Sequence, residues 1–528
     1  MLVEEKISKE IIQNIDKGNV KTKKDLEKFK KQLSMKYKLK HMITSPDITK
    51  YMSDEKITKF SEIMHIKPTR TISGVATITI SCKPGPCGGA CTYCLPATKI
   101  TPKSYSPLEP AIQRAIRNEF DPTRQIRDRL NQYKIMGHPN DKIEIIIIGG
   151  TFLALEKDYK EWFIKDIYDG LNGFESGDLQ QAIKKNESAN HRCIGLTIET
   201  RPDYCFEPHV DEMLNYGATR IELGVQSIYN DVLLKINRGH GVEENIKAIR
   251  IAKDAGYKIV AHIMPFLPGS DFKRELKMFN ILFTNPNFMP DDYKIYPTMV
   301  MPNTILYEEW MNGNYTPPTD EDVKNLFVEI KKMVPPFVRF RRMLRDMPAT
   351  EIASGPKKSN IREIALQELK NQGLKCRCTR CREPGHAKRL HNIEPNIENI
   401  ELIRRDYDAS EGKEIFLSFE DTKNDILIAL ARLRVPSEKT HRKEIKKVAS
   451  VIRELHTYGP LVPIDKQPKN EWQHRGYGKE LISEAEKISK EEFDRKKLVI
   501  ISGVGVKKYF TKLGYSYDGP YMSKFLNK

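Results

Sequence analysis

No stretch of this sequence stays apolar long enough to cross a bilayer. The longest aliphatic run, IEIIIIGG, falls far short of the roughly 20 apolar residues a spanning helix needs. The N-terminus MLVEEKISKE also lacks the basic-then-apolar pattern of a secretion signal, so a cytoplasmic protein with no membrane partner is expected. Acidic side chains are in the minority, 71 against 88 basic ones, for a formal net charge of +17. Such an excess suits a polyanionic partner, or else a lysine-rich solvated surface. Its clustering in KTKKDLEKFKKQLSMKYKLKH and again in RFRRMLRD, with Tyr and Phe interleaved, favours nucleic acid. There is no low-complexity tract and no internal repeat beyond an alternation of strands and helices. Cysteines are few and unevenly spread: seven of the nine fall in two tight clusters, which points to metal rather than a disulfide framework. Cys193 and Cys205, outside both clusters, read as buried or incidental.

A chain of 528 residues exceeds one ordinary core, and composition divides it into four segments. Residues 1–69 are strongly basic, with Leu26, Phe29 and Leu33 at helical spacing, and read as an RNA-binding segment. Residues 70–350 alternate β-rich and helical runs, with strands expected at 75–81, 143–148, 194–199, 219–224, 258–263 and 292–296. Residues 351–396 form a cysteine-rich linker, and 397–528 begin a second αβ pattern. Repeated β-then-α favours a parallel sheet with right-handed crossovers, and six units suit a partial (βα)6 TIM-like barrel. The active site of such a barrel lies at the C-terminal strand ends. The unusual residues fall there: the first cysteines, then GGT, ETRPD, GVQS, MPFLPGS and YPTMV.

In SCKPGPCGGACTYCLP, Cys87, Cys91 and Cys94 have the spacing C-x3-C-x2-C. Three thiolates can hold three irons of a [4Fe–4S] cluster and leave the fourth open. An open iron is what reductive cleavage of S-adenosylmethionine to a 5′-deoxyadenosyl radical needs, and Gly88 and Gly89 allow the loop to wrap closely. A four-thiolate zinc knot including Cys82 is the competing reading. It does not account for a position after the first barrel strand, nor for GGT at the end of the second. Both features resemble the radical SAM superfamily, and the resemblance implies S-adenosylmethionine contacts from Gly149, Gly150, Thr151, Glu199 and Gln226. The third GGT position is acidic in that superfamily and is Thr151 here. Cys82 then stands apart as a spare thiol.

The second cluster, Cys376, Cys378 and Cys381, has thiols close enough for tetrahedral zinc, with His386 or His391 as a fourth ligand. Unmetallated thiols are the alternative. Further on, Gln473-His474-Arg475-Gly476-Tyr477-Gly478 leads into an amphipathic helix whose N-terminus suits a pyrophosphate. This stretch, with LVIISGVG and KKYFTKLGY downstream, resembles the acyl-CoA loop and closing elements of GNAT acetyltransferases. The expected fold is therefore α/β: a radical SAM barrel, a small zinc-binding linker and a C-terminal GNAT domain.

From TRTISGVATITISCKPGPC through IETRPDYC and RELHTYGP to GPYM, the chain resembles the Elongator catalytic subunit family, the tRNA carboxymethyluridine synthases. The resemblance covers about residues 65–528. It implies that radical chemistry joins the methyl carbon of acetyl-CoA to C5 of the wobble uridine, and that hydrolysis of the thioester leaves 5-carboxymethyluridine. It places acetyl-CoA contacts on Glu454, Leu455, His456 and Thr457, on Tyr477, Gly478 and Lys479, on Tyr509, and on Lys142 at the start of the second strand. It also implies an Elongator-like assembly or a homo-oligomer. A tRNA anticodon arm would lie over the barrel mouth, with phosphates met by the early basic helix and by Arg339, Arg341, Arg342 and Arg345. Two rivals are a protein lysine N-acetyltransferase with a structural iron–sulfur cluster, using Glu454 or Tyr509 as base, and a non-catalytic tRNA scaffold.

Overall fold

The structure, a computed structural model, describes residues 3–39, 42–53, 56, 60, 63, 70–459, 472–473 and 475–526. His474 of the glycine-rich loop, Thr69 and Pro460 of the quoted motifs, and most of 54–69 lie outside the described residues. Two helices open the chain, α1 (Val3–Asp16) and α2 (Lys23–Lys36). A capping box between Thr22 and Asp25 starts α2 by satisfying amides that the helix itself cannot. Leu26 and Leu33 of the expected stripe are buried against Ile7, Ile11 and Ile15 of α1, with Phe29 half-covered beside them.

Seven strands then form one parallel sheet in sequential order: β1 (Ala76–Ser81), β2 (Lys142–Ile148), β3 (Arg192–Thr200), β4 (Arg220–Gln226), β5 (Lys258–Ile263), β6 (Asp292–Ile295) and β7 (Arg339–Arg342). The first six match the expected positions. The seventh corrects the count of six: RFRR, which in sequence suggests only an RNA footprint, is a strand. The sheet is apolar on its outer face, where Ile143, Ile145 and Ile147 pack on helices through Phe163, Ile164 and Ile167. Each such fully buried side chain contributes about 1.5–3 kcal/mol. Its inner face is ionic, carrying Glu144, Glu199, Arg220, Glu222, Lys258, His262, Lys294 and Arg341. A strand such as RFRR belongs in this sheet because its charges meet opposite charges inside the curl.

A second, mixed sheet has the order β13-β14-β12-β11-β10-β9-β8, from β8 (Ile400–Ala409), β9 (Gly412–Asp421), β10 (Ile426–Val435), β11 (Ala449–Thr457), β12 (Lys497–Ile500), β13 (Ser516–Asp518) and β14 (Tyr521–Phe525). Only β11 and β12 run parallel, and they pair from Ala449 to Ile452 alone. Beyond a register shift opposite Arg453, residues Glu454–Thr457 pair with β10 on one side and have no ladder to β12 on the other. The two parallel strands therefore part like a V. The helix Tyr477–Glu491 packs over this sheet through Leu481, Ile482, Ala485 and Ile488, with its N-terminus near the opening.

Buried ion pairs join the two sheets. Arg453 reaches Asp291 at 2.7 Å and Glu414 at 2.6 Å, and Arg434 reaches Asp254 at 2.6 Å and Glu414 at 2.9 Å. The backbones also touch: a Cβ on Gly503 would sit 2.1 Å from the carbonyl oxygen of Ile194 on β3. Among the described residues no helix is long and apolar enough to cross a membrane.

Candidate active site

The loop after β1 brings Cys87, Cys91 and Cys94 to one end of a cavity of about 790 Å³ inside the curled sheet. The Oγ1 of Thr151, from the loop after β2, donates to the carbonyl of Cys87 at 3.0 Å and lies 3.3 Å from its Sγ. Arg238 donates from Nη1 to the Sγ of Cys91 at 3.4 Å and from Nη2 to the carbonyl of Gly224 at 2.6 Å. Burial pushes the Cys91 thiol up, but the Arg238 guanidinium outweighs it and holds the thiol below its ordinary value. Burial carries Cys94 the other way, to about 11.

Cys82 has a different place. It is fully buried beneath the turn that follows β2, with its Sγ 3.6 Å from the carbonyl of Gly149 and its thiol pushed up to about 12 by burial. Gly149 holds φ +132°, and a Cβ there would lie 2.4 Å from that Sγ. Cys82 thus shapes the GGT turn from below rather than facing the cavity.

Whether the three cavity cysteines suit a cluster can be judged from spacing. The thiols of Cys376, Cys378 and Cys381 lie within 4.8 Å of one another, as a single ion requires; Cys87, Cys91 and Cys94 form no such tight group. A four-iron cluster holds its thiolates at separate corners, so the wider set fits it. Room for a polar ligand beside it shows in buried atoms of cavity-lining residues that lack a protein partner, Gln226 Oε1 and Arg201 Nη1. Gln226 also adopts φ +65°, an uncommon backbone state for a residue with a side chain. Sequence reasoning named Gln226 but missed Arg201 and Arg238. Arg201 stood in the quoted ETRPD, whereas no local pattern distinguishes Arg238.

The cavity wall continues as a chain of ionised groups. Tyr105 donates to Glu199 Oε2 at 2.6 Å, Lys294 donates to Glu199 Oε1 at 3.1 Å and also pairs with Glu222, and His262 Nε2 lies 3.1 Å from Glu222 Oε2. Burial opposes the charge on Glu222, but Lys294, His262 and Arg220 together hold its carboxyl well below the usual range. Glu199, Glu222 and His262 could gather a cation, yet the Lys294 ammonium already lies among them.

At its far end the same cavity is lined by Glu454, Leu455 and His456 of β11. Glu454 is held by Lys258 at 2.5 Å and Arg432 at 2.8 Å. His456 Nε2 lies 2.9 Å from the carbonyl of Ser73, and its ring packs on Tyr458 at 4.3 Å. A Cβ on Gly478 would lie 3.2 Å from Tyr509 Oη and 3.9 Å from Leu455 Cδ2, so three segments named from sequence converge here. The ring of Tyr477 sits 4.9 Å from that of Phe419, and Lys479 donates its amide to Gly476 at 2.8 Å within the first turn. Lys142 donates to Gln473 Oε1 at 3.1 Å, and Gln473 Nε2 donates to the carbonyl of Thr457 at 3.2 Å, which ties the first sheet to the opening of the second.

Arg339, Arg341, Arg342 and Arg345 all line the cavity rather than an open outer face. Arg339 pairs with Glu383 at 2.9 Å, Arg341 with Asp292 at 2.6 Å, Arg345 with Glu109 at 2.8 Å, and Arg342 with Asp346. In the linker, Cys376, Cys378 and Cys381 are buried together, with the Lys331 ammonium 3.9 Å from Cys376 Sγ. His386 lies 3.2 Å from Glu383 and His391 is exposed, so neither joins the three thiols.

Comparison with known proteins gives consistent matches. Family models match at residues 4–72 (ELP3 N-terminal domain), 85–280 (Radical SAM superfamily) and 290–371 (Radical_SAM C-terminal domain). The chain is 46% identical over 528 residues to a tRNA uridine(34) acetyltransferase of Methanocaldococcus infernus, covering 98% of each. It is 44% identical to Elongator complex protein 3 of Schizosaccharomyces pombe, covering 95% of this chain and 94% of that one. Among solved structures, an archaeal Elp3 of Methanocaldococcus infernus with its N-terminus deleted is 47% identical. It matches with a TM-score of 0.77 over 86% of this chain and 100% of its own.

Proposed function

The chain belongs to the Elongator complex protein 3 family, and from that premise we propose that it modifies uridine 34 of tRNA, using S-adenosylmethionine radical chemistry and acetyl-CoA to form 5-carboxymethyluridine. The observation that carries this is the single cavity lined at one end by Cys87, Cys91 and Cys94 and at the other by Glu454, Leu455 and His456. With an iron–sulfur cluster and S-adenosylmethionine bound, the cysteine end supplies one-electron chemistry strong enough to activate an unactivated methyl group. The three thiols hold the cluster. Gly150, Thr151, Glu199 and Gln226, joined by Arg201, line the cavity and would hold the methionine and ribose parts of the cofactor, with Gly149 shaping the turn that carries Gly150, and Arg238 holds Cys91 in place.

Acetyl-CoA enters from the second sheet. Where β11 and β12 part, the backbone of Glu454–His456 has no strand on one side among the described residues, so it offers amides and carbonyls to an extended acyl chain. The N-terminus of the helix Tyr477–Glu491 meets the phosphates, since the first amides of a helix have no partner inside it. Tyr509 closes over the thioester beside Gly478, and Lys142 couples this site to the first sheet through Gln473. We read 397–528 as a GNAT-type domain on this basis, 70–350 as the barrel, and Cys376, Cys378 and Cys381 as a zinc staple between them. The basic α1–α2 segment and Arg342 at the cavity mouth meet tRNA phosphates, while Arg339, Arg341 and Arg345 organise the wall through their carboxylate partners.

Glu454 is a poor base for a lysine acetyltransferase, because Lys258 and Arg432 engage both of its oxygens. The test is anaerobic reconstitution with tRNA, S-adenosylmethionine, a reductant and acetyl-CoA, followed by nucleoside mass spectrometry. 5-Carboxymethyluridine should form and should vanish in C91A. Acetylated lysine peptides without cofactor cleavage would refute the reading.

A further inference from the structure

We propose that Nδ1 of His262 is the proton acceptor for C5 of the uracil ring, in a Lys294–Glu222–His262 relay built into the cavity wall. This rests on the uridine-modifying function above. Restoring the ring after the new carbon–carbon bond forms leaves a defined balance. C5 has gained the bond to the acetyl methyl carbon and still carries its hydrogen, while C6 holds an unpaired electron. The C5–C6 double bond returns when the ring loses that electron to a one-electron acceptor of the iron–sulfur class and the C5 proton to a base.

The wall offers few candidates. Glu199 accepts from Tyr105 and Lys294, Glu144 pairs with Arg220, Glu454 is clamped between two cations, His386 pairs with Glu383, and His456 lies at the far end against the carbonyl of Ser73. Lys258 and Lys294 are ammonium groups paired with carboxylates, and Arg220 and Arg341 do not give up protons under ordinary conditions. His262 differs. Its side chain lines the cavity, Nε2 is 3.1 Å from Glu222, and Nδ1 has no hydrogen-bond partner among the described residues.

Glu222 fixes which nitrogen carries the proton. Its carboxylate is buried beside the Lys294 ammonium, so it accepts a hydrogen from Nε2 and leaves Nδ1 as the ring nitrogen without a protein partner among the described residues. Once Nδ1 takes a proton, the same carboxylate stabilises the imidazolium. The edge of Tyr296 against the ring, with centroids 5.6 Å apart, restricts its rotation. A second mark of a ligand is Glu222 Oε1, which is buried and has no protein partner.

The test uses full-length protein, wild type and H262Q, loaded with cluster and given anticodon stem-loop RNA carrying deuterium at C5 of the target uridine. H262Q is expected to form 5′-deoxyadenosine within about twofold of wild type while 5-carboxymethyluridine falls about a hundredfold or more, as removal of a positioned base does. The residual product should acquire a deuterium isotope effect that wild type lacks. Undiminished product, or 5′-deoxyadenosine lost in parallel with it, would overturn the assignment. A cofactor-free readout separates this from the function itself. Nitrogen-15 NMR of labelled histidines, with the His262 signal identified by its absence in H262Q, should show Nδ1 unprotonated and shifted by the stem-loop RNA. A proton on Nδ1, or no response to RNA, rejects the relay. If wild type makes no 5-carboxymethyluridine, the assigned reaction falls and the proton transfer with it, whatever the NMR shows; if wild type makes it and H262Q does so equally well, the proton transfer alone falls.

Discussion

Gly149 carries no side chain because the thiol of Cys82 already fills the space, and its φ of +132° would strain any other residue. G149A is therefore expected to cost about 1–3 kcal/mol from backbone strain, plus the clash with sulfur. It should also lower the iron and sulfide content after reconstitution. Pairing it with C82A removes the clash but not the strain, so thermal unfolding of the double variant should recover only part of the loss. Glu275 gives a pH-dependent case. Its Oε1 accepts from the amide of Phe266 at 2.8 Å and from Ser270 at 2.5 Å, pinning the loop after β5, and burial pushes its carboxyl up to about 7. A carboxyl unfolds to a pKa near 4.3, so the folded state binds this proton more tightly. The stabilisation is fully present below about pH 4.3 and is lost as pH rises through about 7, in total roughly 4 kcal/mol. E275Q should flatten that part of the profile, as read from urea unfolding at pH 5 and pH 8.

On the proposed function, acetyl-CoA lies where β11 diverges from β12. G478V would put methyl groups between Tyr509 and Leu455, and acetyl-CoA affinity should fall by about tenfold or more in calorimetry, equivalent to about 1.4 kcal/mol. The fold should persist, since the helix begins at Tyr477 and its apolar face lies further along. Such elements were readable from sequence to different degrees. Runs such as ATITIS and KIEIIII announce strands because their β-branched residues cover an apolar outer face. RFRR did not, because arginine signals solvent unless the partner carboxylates are known. Asp292 and Glu383, which neutralise it, lie 49 and 44 residues away along the chain. The cysteine spacing identified the loop, yet Cys82 looked spare, since its contact with Gly149 spans 67 residues. Long-range charge pairing and packing of this kind leave no periodic trace.

Across the whole molecule, the two sheets are fastened by charges that water cannot reach. Asp291 is fully buried against Arg453 and Lys253. D291N leaves those cations under-compensated, and the expected cost is about 3–5 kcal/mol in a single unfolding transition shared by both sheets. Outside, the net charge of +17 should make tRNA affinity fall steeply with salt, with a log–log slope of about −4 or steeper in filter-binding assays. The cavity lined by both sheets has a kinetic meaning of its own. One thioester held within about 790 Å³ is at a local concentration on the order of 2 M for any reactive carbon formed beside the cysteines. On the proposed function, encounter with the intended methyl group therefore outpaces capture by bulk solutes, so that confinement serves fidelity before any selectivity of the chemistry.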